Sequence, residues 1–363
     1  MFKRRGLFSI ATIALASTSL SGCHGPVHAE AVIAGLAAPV GFTVDPDNNQ
    51  IWYAERFTGE IHRRDLSSGQ DTLVWTVSNV LTSGEQGLLG LALHPSYPSS
   101  PFLYAYASRQ VGGAARNQIL KITLSDGTGV SQQAIVNDLD IGSTHNGGRI
   151  LFGPDGNLFA VIGEHGNPAN SQIVDGNANL AGKVLRLTPD GAIPAGNPFA
   201  GSFVWTYGIR NSFGFAFDPA QGRLWLTDNG PACNDEVDRI VKGGNQAWGS
   251  QATCATPPPA PQNTNQSGPE PRRQPQHVYI DANGITGAAF CSHCGLGLHG
   301  RLLVSFVNDG VFHSLTLNDA RTSVIDDDVV YDHPGPVLSV ETRPGQPIYF
   351  SDATAIYKLT LSG

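Results

Sequence analysis

Four short stretches of this chain set glycines beside polar side chains. They are Glu85-Gln86-Gly87-Leu88-Leu89-Gly90, Ser143-Thr144-His145-Asn146-Gly147-Gly148-Arg149, Tyr207-Gly208-Ile209-Arg210-Asn211-Ser212-Phe213-Gly214 and Asp228-Asn229-Gly230-Pro231-Ala232-Cys233-Asn234-Asp235-Glu236. Glycine lets backbone approach a ligand closely and frees amides and carbonyls for contact. Histidine, arginine and carboxylates that converge would supply a base near neutral pH, a fixed cation and oxygen ligands for a metal ion. Taken singly, each stretch is also an ordinary turn. His145 fits a hydrogen-bonded loop, Arg210-Asn211 a turn cap and Gly230-Pro231 a plain connection. The chemistry therefore depends on a fold that gathers them.

That fold is legible as a repeat. A turn with proline, aspartate or glycine leads into a short apolar-aromatic strand, and a second strand follows after a gap. The first copy has Ile51-Trp52-Tyr53 and Gly59-Glu60-Ile61-His62; the second has Phe102-Leu103-Tyr104 and Ile119-Leu120-Lys121-Ile122. The third has Leu158-Phe159-Ala160-Val161 and Gly182 to Leu187, and the fourth Leu224-Trp225-Leu226 and Glu236 to Ile240. The fifth has Leu302 to Phe306 and Gly310 to Leu315, and the sixth Ile348-Tyr349-Phe350 and Ala355 to Leu359. β-branched and aromatic runs between Gly/Pro/Asp turns are antiparallel β material. A strand pair recurring every ~40–80 residues predicts propeller blades, so the expected fold is an all-β, six-bladed β-propeller. The excess length falls in four segments read as loops: Asp126 to Thr144, Gly163 to Ala181, Thr188 to Phe203 and Asn229 to Ala289. Long loops in a compact domain are usually functional. The Pro/Gln/Asn-rich stretch Ala255 to Gln276 reads as an exposed excursion without chemistry.

The N-terminus reads as an address. Lys3, Arg4 and Arg5 precede an apolar run from Leu7 to Leu20, too short to span a bilayer, and the run ends in Leu20-Ser21-Gly22-Cys23. This looks like a bacterial lipobox: residues 1–22 form a lipoprotein signal peptide, and Cys23 is the lipidation site. Residues 23–35 are expected to be a linker and 36–363 the propeller. The expected location is outside the cytoplasm, anchored through lipid on the periplasmic or outer-membrane face. Net charge is −8, and loss of the basic leader makes the remainder more acidic, which argues against a nucleic-acid partner. Export favours disulfides among Cys233, Cys254, Cys291 and Cys294. Three pairings are possible, and the two local ones, Cys233–Cys254 and Cys291–Cys294, are preferred.

In this order the motifs resemble the soluble pyrroloquinoline quinone (PQQ)-dependent sugar dehydrogenases, the glucose/sorbosone dehydrogenase family. The resemblance rests on Gln86-Gly87-Leu88-Leu89-Gly90, His145-Asn146-Gly147-Gly148-Arg149, Gly153 to Leu158, Gly182 to Arg186, Asn197-Pro198-Phe199, Gly208-Ile209-Arg210-Asn211 and Asp235-Glu236. It implies PQQ at one mouth of the propeller and oxidation of an aldose to a lactone, with hydride passing to the quinone. His145 would be the general base, and Arg210 would stabilise charge on the quinone oxygen. Asn211 and Gln86 would bond cofactor and substrate, Asp235 would lie near the sugar, and Gly230 and Pro231 carbonyls would hold Ca²⁺. Glu164 stands where the family has an aspartate orienting the histidine.

The sequence departs from the family where basic residues hold the PQQ carboxylates. Val307-Asn308-Asp309-Gly310 lacks the expected lysine, and His333-Pro334-Gly335-Pro336-Val337-Leu338 lacks two arginines. Arg149, Arg301 and Arg343 are candidates to compensate. Two classes stay open: a PQQ sugar dehydrogenase with rearranged cofactor contacts, and a non-catalytic cell-surface propeller that has lost PQQ. The sugar and the electron acceptor are left undefined.

Overall fold

The computed structural model describes residues 26–361 apart from 48, 257, 260 and 261. The leader 1–22 and Cys23 lie outside the described residues. Among those described, the strands form six four-stranded antiparallel sheets, and no α-helix occurs. The chain is a six-bladed β-propeller.

Blade 1 is Gly41–Val44, Gln50–Ala54, Glu60–Asp65 and Asp71–Thr76. Blade 2 is Leu88–Leu93, Phe102–Val111, Ala114–Ser125 and Thr128–Leu139. Blade 3 is Ile150–Phe152, Leu158–Ile162, Lys183–Leu187 and Val204–Tyr207; blade 4 is Gly214–Phe217, Leu224–Asp228, Cys233–Ile240 and His277–Asp281. Blade 5 is Ile285–Phe290, Leu302–Phe306, Val311–Leu317 and Val324–Asp332. Blade 6 takes Ser339–Glu341, Tyr349–Ser351 and Ala355–Leu361 from the C-terminal end and Val27–Ala34 from the N-terminal end.

The strand pairs read from the sequence are the second and third strands of each blade. The second strands are buried on both faces, between neighbouring blades, which makes them dense apolar runs; a third strand such as Glu60–Asp65 is only partly buried. Trp52 and Ile61 of blade 1 pack with Leu91, Leu103 and Leu120 of blade 2. Trp225 and Val237 of blade 4 pack with Ile285, Leu302 and Val304 of blade 5. Phe42 and Tyr53 of blade 1 meet Tyr349 and Ile356 of blade 6, which closes the ring. Each such large side chain contributes ~1.5–3 kcal/mol by leaving water. Near the axis the backbones approach closely at particular points: a Cβ on Gly90 would fall 2.1 Å from the Gly148 carbonyl oxygen.

Three expectations are corrected here. The segment 23–35 is not a linker throughout, since Val27–Ala34 pairs with Ala355–Leu361 and supplies the outer strand of blade 6. A propeller ring must close, and this pairing covers an otherwise open sheet edge. The segment Asp126 to Thr144 contains the outer strand Thr128–Leu139, and Asn229 to Ala289 contains strand residues of blades 4 and 5. The stretch Ala255 to Gln276 is not wholly exposed: Asn263, Asn265 and Gln266 are buried, and Asn263 bridges Asn234 and Glu236. Both preferred disulfides are present, Cys233–Cys254 and Cys291–Cys294.

Candidate active site

All inner strands start at the same end of the channel. Antiparallel pairing then places two sets of loops at that mouth: those preceding each inner strand, and those joining second to third strands. His145 precedes Ile150–Phe152, Arg210 and Asn211 precede Gly214–Phe217, and Glu85 and Gln86 precede Leu88–Leu93. Glu164, Gly230 and Pro231 lie in second-to-third-strand loops of blades 3 and 4. Four stretches far apart in sequence thus share one mouth. The segment Thr188 to Phe203, joining third to fourth strands, lies at the opposite end.

His145 sits in a left-handed turn, φ 56°. A Cβ at Gly163 would come within 2.1 Å of the His145 carbonyl oxygen, so glycine there admits the turn. The His145 Nδ1–H donates to Glu164 Oε1. Glu164 is 1% exposed, and its backbone N–H donates to the Arg210 carbonyl at 2.9 Å. Because the carboxylate takes the Nδ1 proton side, Nε2 is left as the basic nitrogen.

A second carboxylate ties the base to the neighbouring blade. Glu85 Oε2 accepts from the His145 backbone N–H at 2.6 Å and from Asn211 Nδ2 at 3.2 Å. Below, Asp228 accepts from the backbone N–H groups of Arg210 and Asn211 at 2.8 and 2.7 Å. Burial pushes the Asp228 carboxyl up to about 6 in spite of those bonds. Arg210 Nη1 donates to the Asn229 carbonyl at 3.0 Å, and its guanidinium lies 5.4 Å from the Trp248 ring centroid. Trp248 arrives from the long insertion that the Cys233–Cys254 bridge fastens to blade 4. Two buried acceptors beside the base, Glu164 Oε2 and Asn211 Oδ1, have no protein partner.

A cavity of about 220 Å³ opens at this mouth, lined by Arg56, Glu85, Arg149, Leu89, Phe213 and Val307 among others. Arg149 crosses the channel from blade 3 to blade 6, donating to Ser339 Oγ, to the Val340 carbonyl at 2.6 Å and to Glu341 at 2.7 Å.

None of His145, Arg210, Asn211, Gln86, Gly230, Pro231 and Asp235 lines this cavity, which Glu85 joins to the base. Glu85, rather than Gln86, lines the cavity, while Gln86 Nε2 donates to the Gly142 carbonyl at 2.9 Å. Asp235, expected beside the sugar, is fully buried; it accepts from the backbone N–H groups of Gly230 at 2.9 Å, Asn283 at 2.9 Å and Ile285 at 3.1 Å. Its carboxylate holds the Gly230 turn against the next blade. Pro231 is exposed. Among the described residues no group of three or more His, Cys, Asp or Glu could hold a metal ion, so Ca²⁺ at Gly230 and Pro231 would rest on carbonyl oxygens. Arg301 pairs with Asp328 on the outer strand of blade 5. Arg343 lines the cavity at the opposite mouth. Neither compensates for the missing cations at 307–310 and 333–338. Arg56, which no spacing singled out, is the cation that joins Arg149 here.

The mouth has counterparts in known proteins. The family described as Glucose / Sorbosone dehydrogenase matches residues 36–358. The chain belongs to the glucose/sorbosone dehydrogenase family. Within that family it is 33% identical over 246 residues to quinoprotein glucose dehydrogenase B of Acinetobacter calcoaceticus, covering 60% of this chain and 51% of that protein. It thus spans about half the length of that relative. It is 30% identical over 307 residues to aldose sugar dehydrogenase YliI of Escherichia coli, covering 79% of each. Among solved structures, the PQQ-bound aldose sugar dehydrogenase of Streptomyces coelicolor superposes with a TM-score of 0.78 at 27% identity, covering 93% of this chain and 99% of that one.

Proposed function

We propose that this member of the glucose/sorbosone dehydrogenase family is a PQQ-dependent aldose sugar dehydrogenase that oxidises the anomeric carbon of an aldose to a lactone. The observation that carries the reading is the His145–Glu164 pair, tied by Glu85 to Asn211 and by the Glu164 N–H to the Arg210 backbone. The PQQ-bound Streptomyces structure and the aldose sugar dehydrogenase relatives support it.

The residues present fit the reacting end of such a cofactor. Arg210 is in no ion pair with a described residue, and the unpartnered Asn211 Oδ1 offers an acceptor beside it. When bound, PQQ supplies the two-electron acceptor for the anomeric hydride. His145 Nε2 takes the proton of the anomeric hydroxyl. Glu164, buried against Nδ1, favours the imidazolium that forms. Arg210 presents positive charge where reduction builds negative charge. Gly230 and Pro231 carbonyls would hold Ca²⁺. Cys23 would carry lipid and tether the propeller to a membrane surface, which mass spectrometry of the mature N-terminus tests.

The deciding experiment adds PQQ and Ca²⁺ to purified apo-protein and follows dye reduction with a panel of aldoses, alongside His145→Ala. Activity with an aldose that is lost in the variant supports the reading. Failure of every aldose overturns it in favour of a binding propeller.

A further inference from the structure

We propose that Arg56 binds a carboxylate of the PQQ tricarboxylate, so that the anion-holding cation of this protein sits on blade 1 instead of blades 5 and 6. The inference rests on the PQQ reading above and adds a site residue to it.

The argument is an accounting of charge around the mouth cavity. Loop 307–310 brings Asp309, whose Oδ2 accepts from Asn283 Nδ2 at 2.8 Å, and loop 333–338 brings His333, which is buried and bonded to Asp352. Neither loop offers a fixed cation. Arg149 lines the cavity but is already paired with Glu341. Arg210 belongs to the reacting end, beside the base and Asn211.

Arg56 differs from all of these. It lies in the second-to-third-strand loop of blade 1, lines the cavity and is half-buried. Its Nε donates to the Gln86 carbonyl at 3.0 Å and its Nη2 to the Gly84 carbonyl. Both acceptors are neutral, and no carboxylate of a described residue lies within ion-pair distance of it. Burial lowers the pKa of the guanidinium and the nearby Glu85 carboxylate opposes that shift without pairing with it; its position is set by two bonds, and Nη1 is left to donate. Glu85 is the carboxylate nearest in the cavity, and its Oε2 is occupied by the two N–H donors of His145 and Asn211. A partly desolvated, pre-positioned guanidinium facing a cavity is suited to a charge-assisted bond with a carboxylate.

The same two carbonyl bonds make Arg56 a brace for the loop carrying Glu85, so the test must separate bracing from anion binding. Apo-protein is titrated with PQQ and with its trimethyl ester, which keeps the rings and lacks the carboxylate charges. Wild type, Arg56→Gln and Arg56→Lys are compared by calorimetry, with thermal unfolding as a check on folding. Arg56→Gln should weaken PQQ by about 10- to 100-fold and the ester by less than about 3-fold, and Arg56→Lys should recover most of the loss for PQQ. Equal weakening of both ligands, or no weakening of PQQ, overturns the role of Arg56 and leaves the dehydrogenase reading standing. Wild-type protein that binds no PQQ overturns both.

Discussion

The Glu85 carboxylate holds the backbone N–H of His145 at 2.6 Å, and the same oxygen accepts from Asn211 at 3.2 Å. One carboxylate therefore holds both the turn that carries the base and the buried amide of Asn211 from the next blade. Glu85→Ala should lower kcat by about 10- to 100-fold, as expected when a reacting group is displaced by about an ångström. Glu85→Gln keeps an oxygen that can accept from both donors, and its kcat should stay within a few-fold of wild type. Steady-state kinetics of the two variants distinguish geometry from charge, and equal losses would refute the positioning role.

Removing the base itself tests the chemistry. His145→Ala should reduce kcat by ~10²–10⁴-fold. The melting temperature should change little, because His145 lies in a mouth loop and supports no blade core. Glu164→Gln should also reduce kcat by at least ~10-fold, since an amide can donate to Nδ1 and strand the proton on Nε2. A Glu164→Gln enzyme with wild-type turnover would remove the orienting role.

Lys183 offers a pH test of the loop behind the base. It is fully buried at the foot of loop 163–182, donating to the carbonyls of Asn170 at 2.8 Å, Ser171 at 3.3 Å and Ala181 at 2.5 Å. Burial lowers its pKa to about 7. In the unfolded chain lysine titrates near ~10.4. Between these values the unfolded state binds more protons, so stability rises with pH across that window; below about 7 both states are protonated and the burial cost is fully present. Unfolding curves from pH 6 to 10 should show this rise in wild type and a flatter profile in Lys183→Met.

The Cys233–Cys254 bridge fastens the insertion that brings Trp248 beneath Arg210. The double variant Cys233→Ser/Cys254→Ser should lose up to ~3 kcal/mol of stability, the loop-closure value for a ring of this size. It should also lose part of its PQQ affinity as Trp248 and Arg210 loosen. Chemical denaturation and PQQ titration measure the two effects separately, and unchanged affinity would show that the insertion holds Trp248 by itself.

The sequence alone determined the six blade centres, because strands buried on both faces must be unbroken runs such as Leu158-Phe159-Ala160-Val161. It also marked both disulfides and the loops bearing His145, Arg210 and Asn211. Inner strands escaped notice where they have only three residues, as in Ile150–Phe152 and Ser339–Glu341, too few to show a period. The outer strand Thr128–Leu139 is largely exposed and polar, so its segment read as loop. Only the tertiary structure decided that Val27–Ala34 closes the ring, since a strand's partner at the far end of the chain leaves no local mark. It alone decided which of two neighbours, Glu85 or Gln86, faces the cavity, because a loop has no fixed side-chain period. It also turned Asp235 inward, sent Arg301 and Arg343 away from the mouth and placed Arg56 at it. Charge proximity in a closed ring depends on which loops share a mouth, and spacing along the chain does not encode that distance.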